Sequence, residues 1–510
     1  MAVSGAKGIA WKGASILTEA LRAFFVSEGS ADRDLWSDRE TLVLRARALF
    51  QNNTFVHALV QSVDVNVVGS GIKARPIPDY ELLKTDREKL ENWSRVVQKH
   101  FDLWADNISC DVEGKNDFYQ LQDLAIKIQA ITGECFALPQ YDRENPYGVS
   151  IKNLESDRCR QPFGKIDTDE FCMGIETSKR GKPIAYHFTK NVPYGINNYS
   201  DIFETVRIDA FDPLGARNVI HSFIADRSDQ RRGVPMIAQM IMQMKQLERY
   251  QDSELMAAVV ASMFTVLIMN KDENSESLLG NVADDQKVAP NDMDAVELAP
   301  GGIVRLNGAQ DIKFANASRP NANYSPFVDY IQRGAAASLG ISSEQVQHFF
   351  KSSYNAVRAA LLESRKSYEK IKYNFIANYC QPVYEKFLAS CIARGVISAP
   401  GYFDDPLTHL LWNSCRWDSD AGFMLVPTKE TQAIIMQLDN QLIDRDTACR
   451  KICGNEYSVI AAKLAEERKI RARYELPEPG TVNKSQNVSI QETTEGPQDG
   501  GSSSLDGGEG

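Results

Sequence analysis

A chain of 510 residues, 43% hydrophobic and 25% charged, has the composition of a globular protein with room for about two to four domains, which excludes a fibrous or wholly disordered one. The formal net charge is -11, and the segment from Glu475 onward supplies seven acids against the single base Lys484, so the remainder is only mildly acidic. That balance excludes a protein whose task is to clamp nucleic acid through a strongly basic surface, but not one that DNA merely slides past.

The first 38 residues read as a weakly amphipathic lead with Gly and Ser, and they contain no apolar core long enough for a signal peptide. The chain is therefore expected to be cytosolic when made. From Asp38, DRETLVLRARALFQNNTFVHALVQSVDVNVVG places Leu42, Leu49, Phe55, Leu59 and Val63 at helical spacing, and the break at Asn52-Asn53-Thr54 predicts two helices joined by a short turn. VVGSGI reads as a turn around Gly69 and Gly71. Further helices are predicted over 83–108, with Trp93, Val97, Phe101 and Trp104 on one face, and over 117–133. From Glu134 to about Ile224, short runs such as ECFALPQY, VSIKNLES and PIAYHFTK, broken by Gly, Pro and Asn, predict a β-rich region.

Next comes an apolar stretch over 235–269, predicted as one helix roughly 50 Å long. Seven of the 12 methionines fall between Met236 and Met269, and Leu255 to Met269 carry no charge. The uncharged run is shorter than the roughly 20 residues of a membrane span, so no membrane segment is expected. A helix apolar nearly all round is otherwise buried against protein, either in the core of one domain or against copies of itself. Residues 270–325 are loop-rich, with GGIVRL and DIKFAN as strand candidates. Helix returns over 326–339, closing on Gly340. The short polar connection HFFKSSYN leads to a long helix over 354–390 with a kink expected at Pro382. LWNSCRW is a strand candidate, 429–473 is helical, and the segment after Pro477 is too polar to order itself.

The chain carries no catalytic constellation that its spacing reveals. Gly114-Lys115, Gly164-Lys165 and Gly181-Lys182 are each followed by the wrong residue for a phosphate-binding loop. VVGSGI lacks the third glycine of a dinucleotide fingerprint. The six histidines stand far apart, and the nine cysteines are scattered. Cys449 and Cys453 lie one helical turn apart, but the nearest histidine is His409, so they read as free thiols and no metal or cofactor is expected. The expectation is a protein without enzymatic turnover.

Five blocks, in order, carry a resemblance. They are DRETLVLRARALFQNNTFVHALVQSVDVNVVGSGIKARP, HSFIADRSDQRRGVPMIAQMIMQMKQLERYQDSELMAAVVAS, ELAPGGIVRLNGAQDIKFANASRPNANYSPFVDYIQRGAAASLGISSEQV, YNAVRAALLESR and DSDAGFMLVPTKETQAIIMQLDNQLIDRDTACRKIC. Together they cover roughly 38–475 and resemble lambda-type phage portal proteins. The chain departs from that pattern at FFKSSYNAVR, where the serines precede the tyrosine, and at Val426-Pro427-Thr428-Lys429.

The resemblance implies a mainly helical α+β portal fold with a β-rich wing, long stem and tunnel helices, assembled as a dodecameric ring at one vertex of a phage head. It implies a channel for double-stranded DNA, which a separate terminase, through its large subunit, pumps in. It implies contacts with the major capsid or scaffold protein and with head-completion proteins, in the virion and, during assembly, in the host cytoplasm. Mapped on this chain, 39–235 becomes the wing, 236–269 the helix leading into the stem and 270–325 the clip. Residues 326–344 become the stem helix, 345–354 the tunnel loop, 355–424 the kinked helix and wing return, and 425–475 the crown, with 476–510 a disordered tail.

Lys351, with Ser352 and Ser353, is then the expected contact of the tunnel loop with the phosphate backbone, and Met256, Val260 and Met263 are the expected subunit interface. The alternative is a helical scaffold or adaptor that binds protein partners through the methionine-rich helix, not DNA. A nuclease would require clustered acids for metal ions, which the sequence does not display.

Overall fold

The computed structural model describes residues 28–190, 204–213, 215–263, 266–269, 303–306, 323–419, 427–454 and 457–476, together with the isolated positions 19, 23 and 24; the side chains at 260–263, 266–269, 303–306, 427 and 453 fall outside this description. Most of the N-terminal lead, the DIKFAN strand candidate and the tail beyond 476 lie outside the described residues. The chain divides into two units, Met1–Asp420 and Ala421–Gly510. Mixed α and β structure with helix predominating agrees with the expected fold class.

The first unit begins with α1 (Ala31–Trp36), α2 (Arg39–Asn52) and α3 (Thr54–Val67). The expected break between α2 and α3 is made by Asn53. Its extended backbone ends α2, and its side-chain oxygen accepts the Val56 N–H at 3.0 Å to start α3. After β1 (Lys73–Pro76) come α4 (Arg87–Ala105) and α5 (Phe118–Thr132). α5 opens on a reciprocal capping box between Asp117 and Gln120 and stops at Gly133, whose φ of 89° suits a residue without a Cβ.

The β-rich region forms two sheets. β2 (Glu134–Tyr141) lies between β3 (Val149–Leu154) and β8 (Ile220–Phe223), antiparallel to both. A four-stranded sheet runs in the order β4 (Phe171–Cys172), β5 (Ile175–Thr177), β6 (Pro183–Thr189) and β7 (Thr205–Asp209). Phe136, Leu154, Tyr186 and Phe188 fill a small core in this region, with Phe136 edge-on to Phe188 at 5.2 Å.

α6 (Ile241–Met263) follows a single 3-10 turn. The single helix expected over 235–269 is therefore shorter, 23 residues or about 35 Å, and its last stretch is not helix. Instead Val266–Met269 forms β9, paired parallel with β10 (Ile303–Leu306) inside GGIVRL. A run of Val, Leu and Ile prefers a pleated surface once a partner strand is available.

α7 (Tyr324–Ala337) and α8 (Ser343–Gln347) precede α9 (Tyr354–Phe375) and α10 (Gln381–Ala393). Between α9 and α10 the chain runs as a π turn, Ile376–Cys380. The π turn stands just before Pro382, where a kink is expected: the proline cannot donate to the carbonyl of Asn378 and its ring would strike it in a regular α-helix, and the wider turn removes both conflicts. The unit closes with α11 (Pro406–Trp412) and β11 (Cys415–Asp418), which pairs with β1.

The main core sits where α3, α4, α5 and α10 converge. Phe101 and Trp104 of α4 meet Phe118 of α5 and Phe387 of α10, with Phe101 edge-on to Phe387 at 5.2 Å. The second unit contains α12 (Pro427–Asp439), α13 (Arg445–Cys453) and α14 (Tyr457–Arg473). Asp444 caps α13, and Gly454 ends it in the left-handed region.

Candidate functional site

α6 changes character along its length. Met244 and Leu247 are buried in the main core, just after Met240 of the preceding turn. On the solvent side of the same turn, Lys245 and Glu248 pair at 2.8 Å, and Glu248 also accepts from Asn53 at 2.9 Å, tying α6 to the α2–α3 turn. Beyond that point Leu255 is 66% exposed and Met256 63%. Val260 and Met263 lie outside the described side chains, so of the three expected interface residues only Met256 is placed, on a bare flank.

α7 packs beside this half of α6. Tyr250 stacks on Tyr324 at 5.8 Å and meets Phe327 edge-on at 5.1 Å. The outer side of α7 leaves Tyr330 76% exposed. The two helices thus cover each other along one seam and leave large apolar side chains on the rest. Among the described residues no helix is long and apolar enough to cross a membrane.

The expected loop is shorter than 345–354, because α8 reaches Gln347. His348 turns the chain with a φ of 51°, and residues 348–353 return it to α9. The loop folds back on α7 and α8. Lys351 Nζ donates to Asp329 Oδ2 at 2.6 Å and lies 5.4 Å from the Phe349 ring centroid. Ser352 Oγ donates to Glu344 Oε1 at 2.8 Å. Ser353 stands at the start of α9 without a side-chain cap bond. Phe349, Phe350 and Tyr354 point outward, all about half exposed. The structure therefore brings Lys351 and Ser352 together in one loop, each already bonded to an acid of a neighbouring helix.

A third element fixes where α6 departs from the rest of the unit. Glu134, the first residue of β2, is fully buried. Its Oε1 accepts from Arg39 of α2 at 2.6 Å and from Arg232 at 2.6 Å; its Oε2 accepts from the Gly233 N–H at 2.8 Å and meets His221 Nε2 at 3.0 Å. Burial alone would raise the Glu134 carboxyl, but the two guanidiniums and the His221 contact outweigh it and hold it well below the usual carboxylate range. Burial pushes His221 down against the pull of Glu134, so the ring is neutral and its Nε2–H donates. Gly133 and Gly233 complete the joint. A Cβ on Gly233 would stand 2.0 Å from the Gly133 carbonyl oxygen, so only glycine lets the two segments touch. Beyond the joint, the Met236 N–H donates to Ala130 at the end of α5 at 3.1 Å. Sequence reasoning did not find this cluster, although Arg232 and Gly233 stand in RRGVP, one of the resembling blocks.

Among the described residues no group of three or more His, Cys, Asp or Glu could hold a metal ion.

Comparison with known proteins bears on what such a helix pair and loop belong to. The family described as phage portal protein, lambda family, matches residues 18–372, which run from before α1 to near the end of α9 and include α6, α7 and the loop. The portal protein of Escherichia phage N15 is 24% identical over 94% of this chain and 93% of its own length. Portal protein B of Escherichia phage lambda is 24% identical over 88% of this chain and 87% of its own. Among solved structures, a chain from the neck of an empty gene transfer agent particle computed with C6 symmetry covers 82% of this chain and 94% of its own at 11% identity, with a TM-score of 0.41. A chain from the virion of the native gene transfer agent particle covers 77% of this one and 97% of its own at 12% identity, with a TM-score of 0.36. The family match takes in the joint at Glu134, the helix pair and the loop as one continuous stretch, and the chain belongs to the lambda family of phage portal proteins.

Proposed function

We propose that this portal protein assembles into a closed dodecameric ring at one vertex of a phage head, and that double-stranded DNA enters and leaves through the ring. The observation that carries the reading is the family match over 18–372. The bare flank of α6 around Met256 supports the ring, because a closed ring uses heterologous contacts in which one face of each copy meets the opposite face of the next. The protein serves as a conduit without turnover, and the ATP-driven work belongs to a separate terminase whose large subunit docks on it. Its other partners are the major capsid or scaffold protein and the head-completion proteins. It resides in the virion after assembly in the host cytoplasm.

In this reading 39–235 is the wing, 236–269 leads into the stem, 270–325 is the clip, 326–344 the stem helix and 425–475 the crown. The tunnel loop, 345–354, faces DNA with Lys351, Ser352 and Ser353, and 355–424 returns to the wing. Contacts to DNA are to phosphates and blind to sequence. Negative-stain images of the purified full chain test the reading. Rings with a central hole wide enough for duplex DNA are expected; solid particles or single copies alone would overturn it.

A further inference from the structure

Lys351 is the lysine of the loop, and the structure gives its charge an owner. Asp329, on α7, takes the ammonium at 2.6 Å, and the lysine side chain stays 44% exposed while the aspartate is 25% exposed. Glu344, the first acid of α8, holds the next residue through Ser352 Oγ. The side chain of Gln347 donates to Gln332 at 2.6 Å, fastening α8 to α7 just before the loop begins. Two acids on two helices therefore draw the loop back, and the surface it leaves outward is aromatic, with Phe349, Phe350 and Tyr354. One turn beyond Asp329 on the same helix, Arg333 lines the same small pocket and forms no ion pair among the described residues. Asp329 thus has a second cation within i,i+4 reach if Lys351 leaves.

We propose that Asp329 is a positioning residue that holds Lys351 back from the channel, so that each loop grips passing phosphates only by giving up its own ion pair, while Asp329 turns to Arg333. The proposal rests on the reading of 345–354 as the DNA-facing loop. Its physical content is a competition. A partly exposed lysine–aspartate pair is weak and salt-screened, so a phosphate can displace it, but never at full strength. DNA is held lightly enough to move. Without Asp329 every lysine would be available, and more would engage the backbone at once.

Rings of the full chain are first verified by mass photometry, then titrated with a fluorescein-labelled linear duplex while anisotropy is read across a salt series. Asp329→Asn should bind the duplex on the order of 3- to 10-fold more tightly at low salt, and its log–log salt slope should steepen by about 1 for each extra lysine engaged. Asp329→Glu, which keeps the charge, should return both quantities to those of the unaltered ring. In a Lys351→Gln background, Asp329→Asn should change neither. Unchanged affinity and slope in Asp329→Asn, with the unaltered ring binding DNA, would overturn this proposal and leave the channel reading standing. The same gain in the Lys351→Gln background would also overturn it, since the effect would then be a general loss of negative charge. Rings that bind no duplex at all would refute the channel reading, and this proposal with it.

Discussion

Glu134 shows how one side chain can set the geometry of a much larger element. It is buried with two guanidiniums, a neutral imidazole and a backbone N–H around its two oxygens, brought together from three segments: α2 (Arg39), β8 (His221) and the Arg232-Gly233 pair. Replacing it with an isosteric amide would leave Arg39 and Arg232 buried without a counter-charge. Glu134→Gln should therefore destabilise the first unit by about 3–5 kcal/mol, as breaking a buried pair does, and thermal unfolding by circular dichroism checks it. The pH dependence has a definite sign. His221 and Glu134 both have folded pKa values below their unfolded ones, so the unfolded chain binds more protons in each window. Stability should be full above the unfolded histidine value of about 6.5, should fall as pH drops through it, and should fall further below about 4.3 as the unfolded carboxyl protonates. Midpoints of urea unfolding measured from pH 8 to pH 4 should decline on this course; a midpoint flat across the range would contradict the assignment of charge in the joint.

At the scale of the element, α6 is two helices in one. Its first half anchors on the core through Met244 and Leu247, its second half buries no side chain among the described residues, and the boundary falls near Glu248. Met244→Ala should cost about 2–5 kcal/mol, because a fully buried methionine leaves a cavity. Met256→Ala, on the exposed half, should change the stability of the single copy by less than about 0.5 kcal/mol. Equal costs in chemical denaturation would mean that the flank is covered.

The sequence made much of this element structure legible. Helical spacing with Asn53 and Gly133 at the ends locates α2, α3 and α5, because caps act locally and leave a local signature. Alternation with Gly and Pro punctuation locates the β-rich region. The end of α6 was not legible. VLIM is a short apolar run that suits helix or strand, and what decides it is the distant GGIVRL segment. The Glu134 joint was hidden for a related reason: Arg39 and Arg232 lie 95 and 98 positions from their acid, and no periodicity relates them. The loop lysine was visible as a residue, but its tie to Asp329, 22 positions earlier, required the fold.

At the scale of the whole molecule, the described residues of the first unit divide their apolar side chains between a closed core and an exposed helix pair. The main core is complete within one copy, with Trp104, Phe101, Phe118 and Phe387 buried, while the α6–α7 pair keeps Leu255, Met256 and Tyr330 outside. A protein stable as a single copy would gain by covering that flank itself, through a helix or loop of its own. The described residues leave it bare, and in the proposed ring the next copy would supply the cover. An acid placed there would be buried unpaired in the ring, yet harmless in the single copy.

Mass photometry of the unaltered chain beside Met256→Asp is the most direct test. A dominant species near twelve times 57.0 kDa is expected for the unaltered chain, and folded single copies of 57.0 kDa for the variant. Met256→Asp forming the same rings with the same yield would show that the flank of α6 is not where the copies meet.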